Sequence, residues 1–559
     1  MKRGTAIAVT VAAVVIAAGF AGLIVKLNRD MKAYREGNGA PSFFGAEKPA
    51  YGDTFVGGSI GDASILNPIL SGDSASNDII SKVYNGLVKY DKDLKLTGDL
   101  AESWVVSKDG LVVTFKLRKN VKWQDGVEFT AADVEFTYRK LTDPLTKSPY
   151  KSSFELLKKF EMLDKYTVRV TYGKPFAPAL ESWGMGILPE HVYKGLDVNT
   201  APANYSPVGT GPYIFKDWKR QREIKLSSFP GYFDGRAYID NYVYRIIPDQ
   251  SVQFMELKSG GLDEMALTPD MFKKQATAPE FEAKFNKYRY RAMAYTYMGF
   301  NNASPFFSDR KVRQAVSHAI NRKEIIDFVL FGYGVEATGP FPPESWACDR
   351  SVKGYSLDLE LSKKLLFEAG WLPGKDGMLE KNGKKFSFML MTNQGNKERE
   401  SIATIIQSQL KKLGIKVELR VLAWPVFINE YVNKKKFDAV VLGWSLTPDP
   451  DCYDIFHSSK TKEGEYNFVS YSNPDVDRLL IEGRETFDQN KRKELYARIH
   501  KIIAEDQPYA FLYVPDALVA MDNRIHGIKP APIGIGYNFE KWFVPFGEQK
   551  YRTKTVIAK

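Results

Sequence analysis

Residues 385–444, KFSFMLMTNQGNKERESIATIIQSQLKKLGIKVELRVLAWPVFINEYVNKKKFDAVVLGW, switch repeatedly between two hydrophobic periods, and that switching decides the fold class. Residues 385–391 read as a strand, and 396–413 as a helix with Gly414 as its stop. In 415–422 Ile415, Val417, Leu419 and Val421 alternate with polar residues, the period of a second strand. A helical pattern over 424–432 and an apolar, buried-strand run over 437–444 complete the series. Strand, helix, strand, helix, strand predicts an α/β fold with a parallel sheet covered on both faces. Ligands of such sheets sit outside the carboxyl ends of the strands, which points at Trp444 and the residues after it.

Outward from this stretch the pattern changes. Residues 51–298 are mostly short strands and turns, with strands expected at 112–118, 167–172, 224–228 and 242–246. Within them, 101–141 (AESWVVSKDGLVVTFKLRKNVKWQDGVEFTAADVEFTYRKL) reads as a hairpin followed by a helix: Val113, Phe115 and Leu117 alternate, and Thr130 and Asp133 have capping-box spacing. A helix over 309–320 places Val312, Ala315, Val316, Ala319 and Ile320 on one face, and Asn321 with Glu324 starts another. Further helices are expected over 474–506, then strand and loop over 525–544. No internal repeat of solenoid or propeller length is present. At 559 residues the chain exceeds what one core organises, so two lobes or more are required.

Composition narrows the function. The net charge of +11 is dispersed among acidic residues and forms no arginine stripe, which excludes nucleic acid as the expected partner. The five histidines include no HExxH or i, i+4 pair, and neither GxSxG nor a phosphate loop is present; no metal, cofactor or enzymatic activity is expected. The two cysteines, Cys348 and Cys452, leave a disulfide and two free thiols equally open. Residues 5–25 carry no charge over 21 positions, enough to span a bilayer; 1–30 is read as a signal anchor, with cleavage left open, and 31–50 as a linker.

The stretch 101–141 also closely resembles the signature region of the bacterial family 5 extracellular solute-binding proteins, the dipeptide and oligopeptide receptors of ABC importers. Supporting segments occur in the family's order, among them PVGTGPY at 207–213, SDRKVRQAVSHAINRKEII at 308–326, LFEAGW at 366–371 and GWSLTPDPDCYDIFH at 443–457. The resemblance implies a two-lobed, clam-shell periplasmic-binding-protein fold: lobe one over 51–298 with an extra subdomain at about 86–190 and a return at 528–559, and lobe two over 299–527. It implies a protein outside the cytoplasm that captures peptides and delivers them to ABC permease subunits; a monomer is expected, tethered to the membrane through the segment 5–25 unless that segment is cleaved. A chelate of nickel, an oligosaccharide and a sensory role are the alternatives.

The ligand residues implied are Trp444, Ser445, Thr447, Asp449 and Asp451 after the last strand of the opening stretch, Trp424, and on the first lobe Tyr84 and Asn85. Asn301 and Asn302, after the strand at the lobe crossing, are added because an amide both donates to and accepts from a peptide bond. Core packing is the competing role for the tryptophans, and turn structure for the aspartates and asparagines. One departure stands out: peptide receptors of this family carry an aspartate three residues after the tryptophan, for the ligand's amino terminus, and here that residue is Thr447. Cys348 follows a segment that resembles a loop at the cleft, from which a bridge to Cys452 within lobe two is conceivable.

Overall fold

The computed structural model describes residues 48–551. The anchor expected at 1–30 and nearly all of the linker after it lie outside these residues. Among those described, no helix is long and apolar enough to cross a membrane.

The opening stretch forms the strand Ser387–Asn393, the helix Lys397–Lys411, the strand Lys416–Leu422, helical turns over 424–432 and the strand Ala439–Ser445. Gly414 takes φ +78°, a left-handed conformation that an L side chain strains to adopt, and so turns the chain from helix to strand. Ser387–Asn393 lies parallel to both other strands. Ala439–Ser445 shows why the sheet is covered on both faces: Ala439 and Val441 enter one hydrophobic core, while Val440 and Leu442 enter another. The expected parallel sheet is only this part, however. Ala294–Phe300 joins Ala439–Ser445 antiparallel, and the whole belongs to a mixed sheet of 12 strands.

That size comes from one element which the sequence reading missed. Tyr509–Asp522 is a 14-residue strand, hidden in the sequence because Pro515 interrupts its apolar run. Its first half pairs with Ala294–Phe300 and its second half with Glu264–Ala266 and Phe285–Arg291. It therefore ties one side of the molecule, where Val56, Leu257, Met265 and Leu518 pack, to the other, where Val312, Phe388, Ile406 and Leu512 pack. Residues 101–142 fold as expected: the hairpin Ala101–Val106 and Val112–Leu117 joins Thr167–Tyr172 and Leu157–Asp164 in a four-stranded antiparallel sheet. Helix Ala131–Thr142 begins with the reciprocal Thr130–Asp133 capping box. Residues 525–544 contain no strand, only the isolated bridges His526–Phe543 and Ala531–Gly534 and a short helix, Gly536–Lys541.

Cys348 and Cys452 are free thiols, which corrects the disulfide alternative. Each sits in a turn of its own: the Cys348 N–H donates to the Ser345 carbonyl, and Cys452 precedes helix Tyr453–Phe456. The Cys452 sulfur is buried beside Tyr295, Phe456 and Tyr509 as a small apolar group, and burial pushes its thiol well above the usual range.

Candidate functional site

A cavity of about 2120 Å³ lies at the carboxyl end of Ala439–Ser445, walled on the other side by residues of the first half of the chain. Drug-sized ligands occupy roughly 300–1,000 Å³, so this space fits a chain of several residues. Trp444, Ser445, Thr447, Asp449, Asp451, Trp424, Tyr84 and Asn85 all line it. Their polar groups differ in what they have left to offer.

Trp444 is half-buried: its ring stacks on Phe468 at 5.7 Å and meets Tyr466 edge-on at 5.2 Å, while its indole N–H donates to the Tyr509 hydroxyl at 3.3 Å. The rest of the ring is cavity wall. Trp424 reaches across to the first half of the chain, donating from Nε1 to Asp73 Oδ1 at 3.2 Å, and packs so closely on Gly61 that a Cβ there would stand 3.1 Å from it. Asp449 accepts two bonds from the Arg492 guanidinium, at 2.8 and 2.9 Å. Asp451 accepts from Arg484 Nε at 2.8 Å, so both aspartates are held by internal arginines. The Asn85 amide donates to Asp99 and Tyr232 and accepts from Thr210. The Tyr84 hydroxyl is buried without a hydrogen-bond partner.

Asn301 and Asn302 do not reach the cavity. Ala294–Phe300 runs antiparallel to Ala439–Ser445, with Ala294 opposite Ser445, so residues after Phe300 lie at the far end of the ladder from Trp444. There Asn301 donates to the Phe437 carbonyl at 2.9 Å, and Asn302 to the Phe300 and Val469 carbonyls. Both are structural turn residues.

The cavity also exposes charges that sequence reasoning did not select. On the first half, Asp78, Lys82 and Glu264 face it together with Tyr242 and Tyr244. Shielding from bulk water pushes Lys82 down and Asp78 up, and raises Glu264 to about 7. On the second half Glu398 and Arg399 enter it from the start of helix Lys397–Lys411, where Arg399 donates to Asn393 Oδ1 at 2.8 Å. The same strand-end rule that pointed to Trp444 points to these two, since Ser387–Asn393 is parallel to Ala439–Ser445 and ends beside it.

Several bonds join the walls: Ser152 Oγ donates to Asp454 Oδ2 at 2.8 Å, Arg484 Nη2 to Ser152 Oγ at 3.2 Å, and Tyr466 to the Tyr150 hydroxyl at 3.1 Å. A ligand-sized space thus lies between the first and second halves of the chain. Residues 95–466 match the family model of bacterial extracellular solute-binding proteins, family 5. The chain belongs to this family.

Among family 5 relatives, the oligopeptide-binding protein AppA of Bacillus subtilis is 40% identical over 519 residues, covering 89% of this chain and 93% of the relative. The structure of AppA in complex with a nonapeptide matches with a TM-score of 0.85 at 37% identity, covering 89% of this chain and 100% of that one. NikZ of Campylobacter jejuni, in complex with Ni(L-His), matches with a TM-score of 0.81 at 29% identity, covering 88% and 99%. The fold is accordingly the two-lobed α/β binding-protein fold, and this family 5 member is extracytoplasmic.

Proposed function

We propose that this chain captures peptides between its two lobes and delivers them to an ABC importer. The observation that carries this reading is a cavity of about 2120 Å³ in a chain 37% identical to AppA, whose structure holds a nonapeptide. A receptor for varied peptides reads what they share, an extended backbone with donors and acceptors at fixed spacing, and bridging waters in a roomy cavity absorb differences between side chains. We place the lobes about as the sequence divides them, with the crossings at 291–294 and around Pro515, where the chain passes between the paired strands. The role is binding without catalysis, by a monomer held to the membrane by its uncharged segment 5–25. Fractionation of membranes after a carbonate wash tests the tether.

Mass spectrometry of molecules that co-purify under native conditions tests the ligand class. Mixed short peptides are expected. A single metal chelate, the chemistry of the NikZ complex, or a single glycan would overturn the assignment. Loss of peptide uptake on deletion separates transport from sensing.

A further inference from the structure

Around the Trp444 end of the cavity the charges do not balance. Asp449 is matched by Arg492, and Asp451 and Asp454 share Arg484. Glu181, in the short helix Ala179–Ser182 of the opposite lobe, has no cation: among the described residues it makes no ion pair, and its Oε1 is buried without a hydrogen-bond partner. It lines the cavity with Tyr90, Thr447 and Asp449. Burial and the Asp449 charge raise its carboxyl to about 7, with the Tyr90 and Thr447 hydroxyls as its polar neighbours. Its position is fixed by the lobe contact, since the Ala177 N–H two residues before that helix donates to the Arg484 carbonyl at 2.7 Å. An unpaired carboxylate held out of water is costly, and a ligand that brings a positive charge removes the cost.

We propose that Glu181 is the acceptor for an organic ammonium group of the ligand, so that the carboxylate absent at Thr447 on one lobe is supplied from the other. This rests on the peptide reading above. The ammonium belongs either to the peptide's amino terminus or to a lysine side chain.

Calorimetry on the full-length protein with three nonapeptide pools decides it: one with free amino ends and no lysine, arginine or histidine, the same pool acetylated, and the acetylated pool with one lysine. Wild type is expected to bind an ammonium-bearing pool about tenfold more tightly than the plain acetylated one. Glu181→Gln, nearly isosteric, is expected to abolish that preference. Preference for free amino ends assigns the terminus; preference for the lysine pool assigns the side chain. Equal binding of all three pools by wild type overturns the proposal without need of a variant, as does a preference that survives Glu181→Gln. Failure of every pool to bind wild type defeats the peptide reading itself, and this proposal with it.

Discussion

Asp449 and Asn301 show how much a side chain's partners decide. Both residue types suit a peptide site, yet Asp449 is spent on Arg492 and Asn301 on the Phe437 carbonyl. Asp449→Ala leaves a largely buried guanidinium without its counter-charge, which costs about 3 kcal/mol of stability. A denaturant midpoint equal to that of wild type would show that the pair carries nothing. Asn301→Ala should cost about 1 kcal/mol, the net worth of an ordinary hydrogen bond, and leave peptide affinity as it was. Calorimetry returning a clear loss of affinity would move Asn301 back into the site. Nothing in the composition of TPDPD distinguishes an aspartate that meets ligand from one that meets arginine, because Arg484 and Arg492 lie more than 30 residues away in sequence.

At the scale of elements, periodicity was most legible where burial is two-sided or strictly alternating. The opening stretch, the 101–142 hairpin and helix, and helix Arg310–Ala319 with its Asp309 cap all follow from apolar spacing and capping residues. What sequence could not reveal was the strand Tyr509–Asp522 with its internal proline, and the run after Ile525, which is held by isolated bridges and side-chain bonds instead of a ladder. Half of the site was legible for the same reason: the strand-end rule reaches Trp444, and Glu398 and Arg399 by the same logic, but Glu181 and Lys82 come from unrelated segments. Helix Gln489–Asp506 illustrates a further burial effect. His500 on it is fully buried; its Nδ1 accepts from the Asp349 N–H at 3.2 Å and its Nε2 meets the Thr338 hydroxyl at 3.2 Å, and burial pushes it down to about 4. The unfolded chain, with an ordinary histidine near 6.5, then binds more protons than the folded one between about 4 and 6.5. Stability must therefore fall as pH falls through that window, by up to about 1.4 kcal/mol per pH unit. Glu181 and Glu264, raised to about 7, slope the other way, so the readout is the difference between wild type and His500→Gln. Parallel denaturation curves for the two from pH 7 to 4.5 would mean that His500 does not titrate abnormally.

For the whole molecule, the decisive quantity is how far the bonds between the lobes favour the closed form before ligand arrives. Trp424 donates to Asp73 across the cleft, and Ser152 links Asp454 and Arg484. Each of these three bonds has one charged member, and such bonds contribute about 1.5–3 kcal/mol when both members are present. The closed form must pay for shutting an empty cavity of about 2120 Å³, so these bonds set a balance which the ligand then tips. Trp424→Phe combined with Ser152→Ala removes the indole N–H and the shared hydroxyl while leaving apolar bulk on both walls. The ligand-free variant should then scatter as a larger particle than wild type, and saturating peptide should restore the same compact radius in both. Apparent affinity should drop by about tenfold or more, because a receptor that is closed a smaller fraction of the time pays that fraction in its dissociation constant. If instead the two ligand-free proteins have one radius and one affinity, the bonds across the cleft follow closure and do not hold it.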